Sequence, residues 1–118
     1  MQLLTRELRD KLLANGRQQQ PVRGTEGEID FPPVVKLFTP DAGATRLLTE
    51  IDPEEPDIAF GLCDLGLGFP ELGSVSLAEL EMVRGRLGLP VERDLSFEAD
   101  RPLSAYAAEA SQLGHIRA

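Results

Sequence analysis

Apolar residues recur along this chain with two different periods, and the switches between them mark the elements. Leu4, Leu8 and Leu12 repeat every fourth position, so 5–15 reads as an amphipathic helix with Thr5 as its N-cap and Gly16 at its exit. Periodicity then lapses in GRQQQPVRGTEGEIDFPP, where 17–32 is expected to form a long, mobile surface loop. VVKLFT (34–39) is a β run between Pro33 and Pro40, followed by turn chemistry at Asp41-Ala42-Gly43. A second strand is expected over 45–52, a turn at Pro53-Glu54-Glu55-Pro56, and a third strand over 57–65. In that third strand Ile58, Phe60 and Leu62 alternate with Ala59, Gly61 and Cys63, so the two sets point to opposite faces. Such short connections favour an antiparallel meander.

The Gly-rich connection GLGFPELGS leaves room for a short pairing around 72–75. Ser76 and Glu79 then form a capping box. Leu77, Leu80, Val83 and Leu87 supply the buried stripe of a helix ended by Gly85, Gly88 and Pro90. Residues 94–98 read as a short strand with Leu95 and Phe97 on one face. A last helix begins near Pro102, carries Leu103, Tyr106, Ala107, Ala110 and Leu113 on one side, and stops at Gly114. The expected fold class is α+β: a small antiparallel sheet of four or five strands with three helices on one face, in a single domain over 1–118.

Charge adds a feature that periodicity does not show. No basic residue lies between Arg46 and Arg84, and nine of the twenty acidic residues fall there, so this third of the chain carries the net charge of −8. A single-sign surface selects partners by attraction and repulsion. With a pI near 4.6, direct nucleic-acid binding is not expected. The charged N-terminus resembles neither a signal nor a transit peptide, no run matches the roughly 18–20 apolar residues of a membrane span, and a cytoplasmic location is expected.

Catalytic chemistry finds little support. The single cysteine, Cys63, excludes a disulfide framework, has no cation beside it in sequence, and fits a small-residue strand face. The one histidine, His115, sits near the C-terminus, so a histidine-based triad or His-rich metal site within one chain would have to recruit this tail. Gly66 and Gly68 lack the third glycine and the following helix of a phosphate loop, so they read as turn residues with positive φ. Arg84, Arg86, Arg93 and Arg101 are expected to pair on the surface with Glu92, Asp94, Glu98 and Asp100. No catalytic residue, cofactor or metal site is assigned. Within the acidic block Glu79 is a helix-capping partner, Glu81 a helix-surface charge, and Asp64 and Glu71 bracket a turn. Five remain: Glu50, Asp52, Glu54, Glu55 and Asp57, on one expected hairpin.

The strings VVKLFTPDA (34–42), LLTEIDPEEPDIAFGLCDLGLGFPELGSVSLAELE (47–81) and RGRLGLPVERDLSFEADRPLSAYA (84–107), with LLTRELRDKLLANG (3–16), resemble a family of small uncharacterised bacterial proteins often encoded on plasmids and integrative conjugative elements. That family usually reads Thr-Trp-Leu-Leu-Thr-Glu where this chain has Thr45-Arg46-Leu47-Leu48-Thr49-Glu50, so Arg46 replaces an aromatic. The resemblance brings no activity or catalytic residue; its setting implies a helper of mobile DNA. Three functional readings stay open. The first is a non-enzymatic interaction protein opposing a host DNA-targeting defence system. In it Glu50, Asp52, Glu54, Glu55 and Asp57 present phosphate-like charge to a basic nucleic-acid-binding protein, and Phe69 is an apolar anchor. The second is a small enzyme or ligand-binding domain with a polar pocket over the sheet, using Glu50, Asp52 and Arg93. The third is a structural subunit of a plasmid maintenance or transfer complex.

Overall fold

The computed structural model describes residues 2–118. Thr5 caps the first helix, α1 (Arg6–Gln19), by accepting a hydrogen bond from the Leu8 amide. Four strands follow as a meander, β1 (Val35–Thr39), β2 (Ala44–Ile51), β3 (Ile58–Asp64) and β4 (Glu71–Ser76). Ser76 accepts from the Glu79 amide at the start of α2 (Leu77–Met82), the expected half of the capping box. A two-residue strand, β5 (Glu92–Arg93), and α3 (Leu103–Leu113) complete the fold. The antiparallel sheet runs β4-β3-β2-β1-β5. The chain is thus α+β, with five strands and three α-helices among the described residues.

Helices cover both faces of the sheet, not one. Leu12 of α1 and Leu77 and Leu80 of α2 pack with Val35, Leu37, Leu48, Ile51 and Ala59. Leu103, Tyr106 and Ala110 of α3 pack with Leu47 and Leu62 on the opposite face. The alternation in β3 is as its sequence implies, with Ala59 on the α1 side and Phe60 and Leu62 on the α3 side. In β2, however, Leu47 and Leu48 are both fully buried and serve different cores. A central strand covered on both faces needs apolar residues on both.

A β-bulge resets β2 partway. Leu48 pairs with Gly61, but Glu50 pairs with Phe60 and Ile51 with Ala59, so Thr49 is extra. Directly opposed residues share a face. The bulge therefore returns Ile51 to the α1 core and turns Glu50 toward the α3 side. It also brings backbone close to backbone, since a Cβ on Gly61 would lie 1.9 Å from the Leu47 carbonyl oxygen. Gly16 has the same role on α1, where a Cβ would lie 1.8 Å from the Ile51 carbonyl oxygen. Gly16 is thus the contact point between α1 and β2 and not the helix exit. The helix continues to Gln19, which shortens the expected 17–32 loop to a 3₁₀ turn (Gln20–Val22), turns and an extended run.

Other boundaries also move. α2 stops at Met82, where Val83 turns to extended backbone, and Leu87 is exposed instead of closing its stripe. Asp41 explains this, because its carboxylate accepts from the Leu87 and Leu89 amides and holds 84–90 as a separate loop over the β1–β2 turn. Residues 94–98 form no strand. Asp94 accepts from the Ser96 amide in a local turn, Leu95 is exposed, and Phe97 packs with Tyr106, ring centroids 6.4 Å apart.

Gly16→Ala and Gly61→Ala each drive a methyl group into backbone, which cannot yield as a side chain can. Each is expected to destabilise the protein by about 3 kcal/mol or more. Urea unfolding of both variants, beside Gly73→Ala as a control with open space around its Cβ, measures this.

Candidate functional site

The five hairpin carboxylates do not form one surface. Glu50 is buried, its side chain only 4% exposed, and Arg23 Nη2 reaches its Oε2 at 3.2 Å. Its Oε1 accepts from Thr49 Oγ1 at 3.2 Å and Gln19 Nε2 at 3.4 Å. Asp52 accepts from the Glu54 amide at 2.9 Å, closing the turn. Asp57 accepts from the Ser76 hydroxyl and, at 2.9 Å, from the Ala78 amide, so it docks the β2–β3 turn onto the start of α2. Ser76, and after it Ala78, hold the Asp57 carboxyl below the usual carboxylate range. Glu54 and Glu55 remain as exposed charge at the tip.

Phe69 lies at the other end of the sheet. The acidic turn precedes Ile58 and the Phe69 loop follows Asp64, so the seven residues of β3 separate them by about 20 Å. Phe69 is 80% exposed and has apolar company. Leu67 in the same loop is 73% exposed, and Leu65 is also on the surface. Gly66 and Gly68 do take positive φ, 79° and 90°, as their turn role requires. A Cβ on Gly66 would lie 3.2 Å from the Ala42 carbonyl oxygen, which places this loop against the β1–β2 turn. The 84–90 loop, with exposed Leu87 and Leu89, docks on the same turn through Asp41. Asp64, almost fully buried, accepts from the Gly66 and Ile116 amides and joins the loop to the segment after α3. One end of the sheet therefore carries five exposed large apolar side chains, Leu65, Leu67, Phe69, Leu87 and Leu89, and the other carries the acidic turn.

A cleft opens on the α3 face above the bulge. Two adjoining cavities, of about 250 and 290 Å³, share Gln19, Glu28, Glu50 and Phe60. Phe31, Leu72 and Leu103 wall the first, and Arg23 and Ser74 the second. Gln19 is the organiser. Its Nε2 donates to the Ile29 carbonyl at 2.7 Å and its Oε1 accepts from the Ile29 amide at 2.8 Å, pinning the extended run beside the sheet. Asp30 then receives the Ser104 amide and hydroxyl at the start of α3. Of this cleft only Glu50 is a candidate on sequence grounds. Gln19, Arg23 and Glu28 were missed, although Asn15 and Gln19 continue the Leu8–Leu12 stripe and so mark polar groups on a buried helix face. The trio Glu50, Asp52 and Arg93 is not assembled. Arg93 pairs with Leu37 on the α1 face and donates to the Gln2 and Leu3 carbonyls.

The remaining polar candidates are structural. Of the expected arginine pairs, Arg101 meets Asp100 at 3.6 Å but Glu109 more closely at 2.8 Å, while Arg84 donates to main-chain carbonyls and Asp94 pairs with Lys36. Cys63 does have a cationic neighbour, Arg46, across the β2–β3 pair. Burial nevertheless pushes its thiol up, with Arg46 acting in the opposite direction. Arg46 is itself buried, and its Nε and Nη1 find no hydrogen-bond partner among the described residues. Among those residues no group of three or more His, Cys, Asp or Glu could hold a metal ion, and no helix is long and apolar enough to cross a membrane.

These features define a small α+β domain with a five-stranded antiparallel sheet between helices, one apolar end and a polar cleft. The chain belongs to the DUF2958 family, described as proteins of unknown function, whose model matches residues 3–117. Nothing among the curated proteins or the solved structures matches it.

Two outcomes follow from the anchoring contacts. Gln19→Ala removes both clamps on Ile29 and one bond to Glu50; it is expected to destabilise the fold by about 2 kcal/mol and to speed amide exchange at Ile29. Asp57 has a folded pKa below its unfolded value, so its contact stabilises the fold above about pH 4 and is lost as pH falls through the folded pKa. The stability gap between wild type and Asp57→Ala, from urea unfolding, is therefore expected to be full at neutral pH and to shrink on acidification.

Proposed function

We propose that this protein is a non-enzymatic interaction protein that docks a protein partner through the apolar end of its sheet, with Phe69 as the central anchor. One observation carries this reading: Leu65, Leu67, Phe69, Leu87 and Leu89 stand exposed on two loops that flank a single turn. Single exposed apolar residues are ordinary, but a cluster on loops that side-chain hydrogen bonds hold in place costs solubility unless something covers it. Interface centres favour aromatic residues over charged ones. Arg84, Arg86 and Glu71 lie exposed in or beside the same loops and supply a polar rim.

The resemblance to proteins encoded on plasmids and conjugative elements supports a setting in mobile DNA. In that setting, opposition to a DNA-targeting defence draws on the apolar end more than on phosphate mimicry. Glu50 is buried, and Asp52 and Asp57 already accept main-chain amides, so Glu54 and Glu55 are the tip carboxylates that no hydrogen bond engages among the described residues.

Affinity purification from a native host with crosslinking separates the two surfaces. A partner retained by wild type and by Glu54→Gln/Glu55→Gln, but lost with Leu67→Asp/Phe69→Asp, is the expected result, with at least about a tenfold loss of affinity for the apolar-end variant. Loss with the tip variant alone overturns the assignment.

A further inference from the structure

We infer that the cleft above the bulge is a binding site for a guanidinium or alkylammonium group on a short apolar stem, and that Arg23 is an internal cation occupying it. The inference goes beyond partner docking at the sheet end. It rests on a cavity with a buried carboxylate at its floor and a cation already seated there. Glu50 is almost fully removed from water, and no cation on a neighbouring strand serves it. Its contacts are long for a carboxylate, at 3.2, 3.2 and 3.4 Å, against the roughly 2.7–2.9 Å of a tight charge-assisted bond. Arg23 touches it through one nitrogen, is 51% exposed, and lies just past the 3₁₀ turn, so little holds it in place. A surface arginine held by one contact is readily displaced.

The walls complete the match. Phe60, Phe31, Leu72 and Leu103 offer apolar and aromatic surface for a stem and a ring face for a cation. Glu28 adds a second carboxylate to both cavities. Neither cavity, at about 250 and 290 Å³, has the room of a cofactor site, but each takes the end of a side chain or a small amine. An incoming cation exchanges with Arg23, whose side chain swings into solvent, so no carboxylate is left buried without a partner.

The test uses the full chain with agmatine as the free amine and N-acetyl-arginine amide as the peptide-borne side chain. N-acetyl-citrulline amide is the neutral isostere. Binding is read by calorimetry and by chemical shifts of Phe60, Leu72 and Ser74. Saturable binding of a cationic probe and none of the isostere is expected, and the tighter probe identifies the source. Arg23→Ala removes the internal competitor and is expected to tighten binding by about three- to tenfold. Glu50→Gln is expected to abolish it. Should that variant not fold, Ser74→Tyr, at an exposed strand position on the cavity wall, blocks the site without touching the buried network. No saturable binding to Arg23→Ala up to about 20 mM, equal binding of the citrulline probe, or unaltered binding to Ser74→Tyr would overturn the inference.

Discussion

The extra residue at Thr49 is the constraint on which the rest of the structure depends. Without it, β2 would alternate strictly, and Ile51 would fall on the same face as Leu47. With it, Leu48 and Ile51 both reach the α1 core, while Leu47 and Glu50 face α3. The bulge demands glycine beneath it at Gly61, and α1 closes on the strand end only because Gly16 admits the Ile51 carbonyl. Asn15 then caps the displaced backbone, donating to the Thr49 carbonyl at 2.9 Å. Helix, strand and loop are thus locked at one place, and the cleft is its by-product.

From that lock follows the division of the surface. Local geometry consumes most of the buried or turn-forming acids: Asp41 ties down the 84–90 loop, Asp57 docks on α2, and Asp64 joins the β3–β4 loop to the chain after α3. Each is an acceptor for main-chain amides that would otherwise lack partners. Carboxylates used in this way fix loop shape, and the loops so fixed carry the exposed leucines and Phe69. The acidic excess and the apolar end are therefore connected. Asp41 and Asp64, neither of them among the five hairpin candidates, are the acids that hold the loops on which the apolar surface is displayed.

Much of the fold is legible from periodicity. Strands β1 to β3, the capped start of α2 and the span of α3 follow from β runs, turn residues and capping chemistry, all of which act within a few residues of chain, although Leu113, expected on the packed side of α3, is exposed. The errors have a common origin. Gly16 looks like a helix stop because glycine usually is one, yet the reason for it is a carbonyl on a strand 35 residues away. Leu87 continues a helical stripe on paper, but Asp41, also distant in sequence, takes the amides of its loop. Helices on one face are the expectation, whereas β2 carries Leu47 and Leu48 into two different cores.

The sequence by itself determined the α+β class, the strand order of the meander, the Thr5 and Ser76 N-caps and the positive-φ turns, because each depends on local sterics and hydrogen bonding. It also determined that Phe69 would sit in a glycine-built loop. Only the tertiary structure decided which side chains share a site. It buried Glu50 against Gln19 and Arg23 and set Arg93 on the opposite face. The physical reason is that a one-residue bulge reverses which face a side chain takes, and the backbone contact that stabilises it comes from residues far along the chain.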